Sequence, residues 1–173
     1  MMQYTINTKT RNEIIEWLEN QPTRYHLTLS YSFNVYERTA TNLLNELLKN
    51  LNRKILKDRY NRYNQCLEGV VVMESTPQMN NFHFHVLIFD REDMLPSFER
   101  MEWITTKKIE NTNKYKKPEN RITKFLLQEY TRPDESGHLE KYLTKSFESR
   151  SLGYEEKMNR FCPLGPEGCS FGK

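Results

Sequence analysis

Two histidines one residue apart, His83 and His85, sit inside the apolar run "NNFHFHVLIFD" of residues 80–90, in a chain of 173 residues that has only four histidines. In a β-strand both imidazoles project from one face, while Phe84, Val86 and Ile88 project from the other. A sheet accommodates such a pair when a hydrogen-bond network or a metal ion holds it. Two ring nitrogens at i and i+2 can serve one divalent ion, and such a site usually takes an oxygen ligand as well. Glu74 closes the preceding β-branched run "CLEGVVVMES", residues 66–75. The short polar connector "STPQMNN" predicts a hairpin, and antiparallel pairing across it would set Glu74 near His83 on the same face. Glu68 and Glu129 are the alternatives. With nitrogen and oxygen ligands and open positions, Mg or Mn would serve as a phosphate activator. Imidazoles at a sheet edge without metal have the same sequence signature.

A second pair lies in "EKYLTKSF": Tyr142 and Lys145, at i and i+3, share one face of a predicted helix. A tyrosine hydroxyl is a poor nucleophile at its ordinary pKa near 10, and a neighbouring ammonium together with a bound phosphate favours attack by its oxygen. Tyr-x-x-Lys alone is common, and a structural helix tyrosine is its default meaning. Its weight comes from following His-x-His.

Several elements must position these groups. Thr10 with Glu13 resembles a capping box opening a helix through Ile14, Ile15 and Leu18 that Pro22 stops. "RYHLTLSYSF", residues 24–33, alternates Tyr25, Leu27, Leu29, Tyr31 and Phe33 against His26, Thr28, Ser30 and Ser32, a half-buried strand. A long helix is predicted over 39–61, with Leu44, Leu47, Leu48, Leu51 and Ile55 at helical spacing. Residues 66–75 and 82–89 are strands. Pro96–Met101 can start another helix; Trp103–Ile109 has some strand character, and Arg121–Tyr130 fits strand or helix, with strand favoured. "TRPDESG" is a loop before the helix "HLEKYLTKSFESR", and the glycine- and proline-containing end is irregular from about residue 151. The order predicts one α+β domain over 1–173, a small antiparallel sheet flanked by helices.

Composition narrows the partners. Hydrophobic residues make up 36% and charged residues 28%, and ten tyrosines with nine phenylalanines argue against wholesale disorder. The net charge is only +3, yet Lys107, Lys108, Lys114, Lys116, Lys117, Arg121 and Lys124 fall within eighteen residues beside only Glu110 and Glu119. A local basic stretch near aromatics suggests a polyanion such as DNA or RNA; a solvated loop has the same composition. No apolar stretch approaches a membrane span and the N-terminus lacks a signal-peptide core, so no membrane and a cytoplasmic location are expected. Cys66, Cys162 and Cys169 lack C-x-x-C spacing and read as reduced thiols. "GPEGCSFGK" does not fit a phosphate-binding loop.

"FHFHVL" followed by "YLTK" resembles the histidine–hydrophobe–histidine (HUH) endonucleases, specifically rolling-circle replication initiators of small plasmids and phages. "YHLTLS" stands where that family has its first strand-forming motif, and Glu74 precedes the histidines at about the interval of the third metal ligand. The resemblance spans residues 24–147. It implies an HUH, ferredoxin-like sandwich with a five-stranded antiparallel sheet, the histidines at its centre and the tyrosine helix over them. It implies a divalent metal, Mn or Mg, on His83, His85 and Glu74, and Tyr142 as nucleophile with Lys145 beside it. The implied reaction nicks one strand of single-stranded or hairpin origin DNA, leaving a 5′-phosphotyrosine and a free 3′-OH, with unwinding and extension left to a host helicase and polymerase.

Tyr130 and Tyr154 each stand twelve residues from Tyr142, which favours a single-tyrosine enzyme. His138 would share the helix face of Tyr142. A single-tyrosine transposase is the nearest rival. A relaxase fits less well, since it usually clusters three histidines and carries its tyrosine near the N-terminus. A non-catalytic nucleic-acid-binding module, stacking bases on sheet aromatics, is the reading from another class, although the RNP1 pattern is missing.

Overall fold

A computed structural model describes residues 2–32, 35–76, 81–130, 138–145 and 160–165. Within them the strands β1 (Thr23–Tyr31), β2 (Gly69–Thr76), β3 (Asn81–Phe89), β4 (Ile122–Glu129) and β5 (Phe161–Pro163) form one sheet in the order β4-β1-β3-β2-β5. Every pairing is antiparallel. The helices are α1 (Met2–Glu19), α2 (Glu37–Ile55), α3 (Asp58–Tyr63), α4 (Phe98–Asn113) and α5 (His138–Leu143). The α+β sandwich expected from the element order is the observed architecture, and the histidine strand β3 is its central strand.

Period-two alternation divides the sheet into two faces. On one face Tyr25, Leu27, Leu29 and Tyr31 of β1 join Phe84, Val86 and Ile88 of β3 and Val71 and Met73 of β2 in the main core. Leu43, Leu44, Leu47, Leu48 and Leu51 of α2 cover it, as do Met101, Ile104 and Ile109 of α4. The other face carries a smaller core of Val70, Val72, Leu87 and Phe89 with Leu18 of α1 and Leu143 of α5. This second core occupies only one end of β2 and β3. The histidines lie beyond it on the same face.

Four local expectations are corrected. The first helix extends back to Met2, so Thr10 is inside it rather than at its start. The helix read as continuous over 39–61 breaks after Leu56, because Lys57 takes a left-handed φ of 50° and a separate α3 follows. Trp103–Ile109 is helical rather than extended. Its β-branched residues favour a strand locally, but burying Met101, Ile104, Thr105 and Ile109 on one helical stripe overrides that preference. The end of the chain is not wholly irregular, since Phe161–Pro163 pairs with Val70–Val72 as the fifth strand. That edge begins at Gly69, where a Cβ would stand 2.0 Å from the Leu87 carbonyl oxygen.

Among the described residues no helix is long and apolar enough to cross a membrane. Cys66 and Cys162 are thiols outside any disulfide, and Cys169 lies outside the described residues.

Candidate functional site

Antiparallel register builds the site from three cross-strand rows on the histidine face. Lys124, Ser30, His83 and Glu74 are consecutive partners across β4, β1, β3 and β2. The next row is Leu126, Thr28, His85, Val72 and Phe161; the third is Gln128, His26, Leu87, Val70 and Pro163. Directly paired residues project to the same side. The hairpin therefore does what the connector length suggested, and Glu74 stands opposite His83.

Side-chain contacts tie the rows together. Nε2 of His85 is 3.2 Å from Oε2 of Glu74, and Oε1 of Glu74 forms an ion pair with Nζ of Lys145, just beyond the last turn of α5. The Nδ1 atoms face β1 instead. Nδ1 of His83 is 2.9 Å from Oγ of Ser30, and Nδ1 of His85 is 3.1 Å from Nε2 of His26. Thr28 Oγ1 lies 3.3 Å from both His26 Nε2 and His85 Nδ1. His26 and His85 stack with centroids 5.4 Å apart. His26, Thr28 and Ser30 stand out in the sequence only as the polar half of an alternating strand. Nothing local identifies β1 as the strand that meets the histidines.

Burial disfavours the protonated form of His26 and His83. The His26 imidazole falls from 6.5 to about 4, through burial and then the nearby His85. His83 is also lowered, chiefly by burial, with Glu74 opposing the shift and His85 and Lys145 adding to it. Because the folded protein binds these protons less readily than the unfolded chain, stability is fully present above pH 6.5. It is lost as pH falls toward 4. For His26 the loss is on the order of 3 kcal/mol. Urea titrations of the metal-free protein at pH 7 and pH 4 are expected to show that decline, and His26→Gln to reduce it. An equal decline in His26→Gln would assign the acid sensitivity elsewhere.

The donor types and shared face of His83, His85 and Glu74 suit a divalent cation. Among the described residues, however, no three His, Cys, Asp or Glu side chains are already gathered for an ion. Glu74 is engaged by His85 and Lys145, and a cation would replace those contacts. The alternative ligands lie elsewhere. Glu68 accepts from Arg91 at 2.6 Å, and Glu129 pairs with Tyr25, whose side faces the main core.

Tyr142 belongs to α5, but its side chain and that of His138 lie outside the described residues, as does Tyr154 altogether. Tyr130 donates its hydroxyl to the buried Glu140. The seven basic residues separate. Lys107 and Lys108 belong to α4, on the opposite layer, where Lys107 pairs with Glu110 at 2.8 Å. Lys116 pairs with Glu46 at 3.0 Å, and Lys114 lies 5.2 Å over the exposed Tyr115 ring. Arg121 donates to the Lys116 carbonyl at 2.8 Å, and Ser32 anchors the segment through the Pro118 carbonyl at 2.7 Å. Of the seven, only Lys124 stands in the row of His83.

Comparison with protein-family models, curated proteins and solved structures finds no match to this chain.

Proposed function

We propose that this chain is a metal-dependent DNA nicking and joining enzyme of the HUH type that starts rolling-circle replication by cutting one strand at an origin. The observation that carries the reading is the Lys145–Glu74 ion pair. It brings the end of the Tyr-x-x-Lys helix to the carboxylate that faces the His-x-His strand, two motifs about sixty residues apart in sequence. A structural helix tyrosine explains the first motif alone and a sheet-edge network the second; neither explains why they converge.

His83, His85 and Glu74 would hold Mn or Mg. When bound, the ion supplies positive charge to the non-bridging oxygens of the scissile phosphate. Tyr142 is the nucleophile: its oxygen forms a bond to phosphorus as the bond to the 3′ oxygen breaks. The phenolic proton is lost and the departing 3′ oxygen gains one, so the exchange balances without an added cofactor. With Glu74 serving the cation, Lys145 would meet the phosphate or the phenolate with its ammonium.

The strand of DNA has a path. Lys124, Leu126 and Gln128 are exposed on the histidine face of β4, and Leu126 is 55% exposed. The basic segment 114–121 joins the sheet at the end nearest Lys124. Single-stranded DNA laid from that segment across Lys124 reaches the His83 row. Neutralising Lys114, Lys117 and Lys124 together is expected to reduce the salt dependence of binding, by about 0.7 slope units for each phosphate that no longer meets a cation. Neutralising Lys107 and Lys108 should leave the slope unchanged. Equal effects from both sets would remove this path.

The decisive assay incubates the protein with single-stranded origin oligonucleotides and Mn. Site-specific nicking is the expected result. Binding without any cleavage would leave a nucleic-acid-binding module, and cleavage confined to transposon-end sequences would point to the single-tyrosine transposase.

A further inference from the structure

We propose that β1 supplies a row of positioning residues, His26, Thr28 and Ser30, that fixes the ring orientation of His85 and His83 and thereby sets the affinity for the divalent ion. This rests on the metal reading of His83, His85 and Glu74 given above.

The row is matched residue for residue. Thr28 is the register partner of His85 and Ser30 that of His83, while His26 lies one row further along, opposite Leu87. The remaining alternate positions of β1, namely Tyr25, Leu27, Leu29 and Tyr31, are apolar and buried in the main core. A leucine or valine at 26 would extend the small core already formed by Leu87 and Val70. Instead the strand buries an imidazole there, 9% exposed, and turns its Nε2 toward His85. An apolar neighbour would be the less costly choice if packing alone governed this position.

The atoms involved decide what the row does. An imidazole that gives Nε2 to a cation carries its remaining proton on Nδ1. A free imidazole is divided between two tautomers and rotates about its ring bond, and both freedoms are lost on binding. An acceptor facing Nδ1 fixes the ring plane beforehand, favours the ligating tautomer and makes the ligating nitrogen more basic. Ser30 Oγ stands 2.9 Å from Nδ1 of His83. For His85 the acceptor is Nε2 of His26 at 3.1 Å, with Thr28 Oγ1 at 3.3 Å supporting both rings. His26 then keeps its own proton on Nδ1. Both ligand rings are held from behind by β1, and Nε2 of His85 is directed at Glu74. Since β1 and β3 are joined by backbone pairing from Thr23 to Ser30, folding fixes the ring planes before any ion arrives; on binding, the His85 proton that Glu74 accepts from Nε2 would give way to one on Nδ1 facing His26.

The test is calorimetric titration of the full chain with MnCl2, comparing wild type with Ser30→Ala, Thr28→Val, His26→Leu and His26→Gln. Ser30→Ala and His26→Leu are each expected to weaken Mn binding by about 10–100-fold, the usual cost of losing an outer partner of a ligand histidine. His26→Gln should recover most of the affinity, because its amide oxygen can accept from Nδ1–H of His85. Melting temperatures measured in chelator separate positioning from general damage, and Ser30→Ala should melt close to wild type. If wild type binds Mn and all four variants bind it equally, the positioning role is overturned and the metal site stands. If affinity falls only together with the melting temperature and Gln gives no recovery, β1 is merely structural and the proposal is overturned. If wild type and His83→Ala both fail to bind Mn or Mg, the metal reading itself fails and this inference falls with it.

Discussion

Tyr142→Phe is expected to eliminate the covalent protein–DNA adduct while leaving DNA and metal binding intact. Strand joining after a nick requires that the energy of the phosphodiester be conserved, since a hydrolysed end cannot be rejoined without an activating cofactor. A tyrosyl phosphodiester conserves it and makes the step reversible. Phenylalanine keeps the ring and removes only the attacking oxygen, so adduct formation should fall by at least about 10⁴-fold, the scale of losing a nucleophile. An oligonucleotide carrying the nick site, labelled at its 3′ end, should migrate with the wild-type protein on a denaturing gel because the 5′-phosphate side stays attached. Transfer of a 5′-end label, or an adduct that survives in the variant, would overturn the assignment.

Lys145→Ala separates two consequences of one contact. Lys145 occupies Oε1 of Glu74 in the described arrangement, with the lysine side chain 44% exposed. Removing it takes away the ammonium that competes with a cation for the carboxylate, so Mn affinity should hold or rise. The nicking rate should nevertheless fall, because the ammonium beside the phosphate is gone. A variant that loses metal affinity and rate in parallel would show that Lys145 acts only by holding Glu74 in place.

The second large effect is expected from the histidines. His83→Ala and His85→Ala should each remove measurable Mn binding and lower nicking by at least about 10²–10³-fold, the scale of losing one charge-stabilising group in a site. The two differ in their structural cost. His83 is half-buried and touches Ser30, so its removal leaves a hydroxyl that water can satisfy. His85 is 6% exposed and bridges His26, Thr28 and Glu74, so His85→Ala should also destabilise the fold. His83→Ala is therefore the cleaner variant. Undiminished Mn binding in the double variant would refute the site, whatever the effect on nicking.

Much of the candidate site was legible from local pattern. Alternation in residues 24–33, and the strand run of residues 82–89, assign each side chain to a face, because successive strand residues must point to opposite sides. The brief connector after Glu74 restricts β2 and β3 to a hairpin, and the hairpin register then sets Glu74 opposite His83. Interactions of this kind span few residues, so sequence carries them directly. Tyr142 lies on the helix its pattern predicts, but α5 ends at Leu143, so Lys145 reaches Glu74 from just beyond the helix rather than from a shared helical face.

What remained hidden depends on which distant segments meet. β1 lies on the other side of β3, separated from it in the chain by α2, α3 and β2, and no local signal in "YHLTLS" chooses that neighbour. The roles of His26, Thr28 and Ser30 follow from that choice alone. The fifth strand is only three residues long, too short for any periodicity, and exists because β2 offers it an open edge. In α4 the β-branched "ITTKKI" favours extension, yet the main core selects the helix that buries Met101, Ile104 and Ile109 together. The basic residues form one patch along the sequence because they are close in number; the helix carries Lys107 and Lys108 to one layer and the strand carries Lys124 to the other. Sequence by itself determined the faces, the hairpin and the chemical types of the site. Tertiary structure decided which strand stands behind the histidines and where the charge lies, because strand neighbours and layer assignments are set by burial of the whole core rather than by the residues concerned.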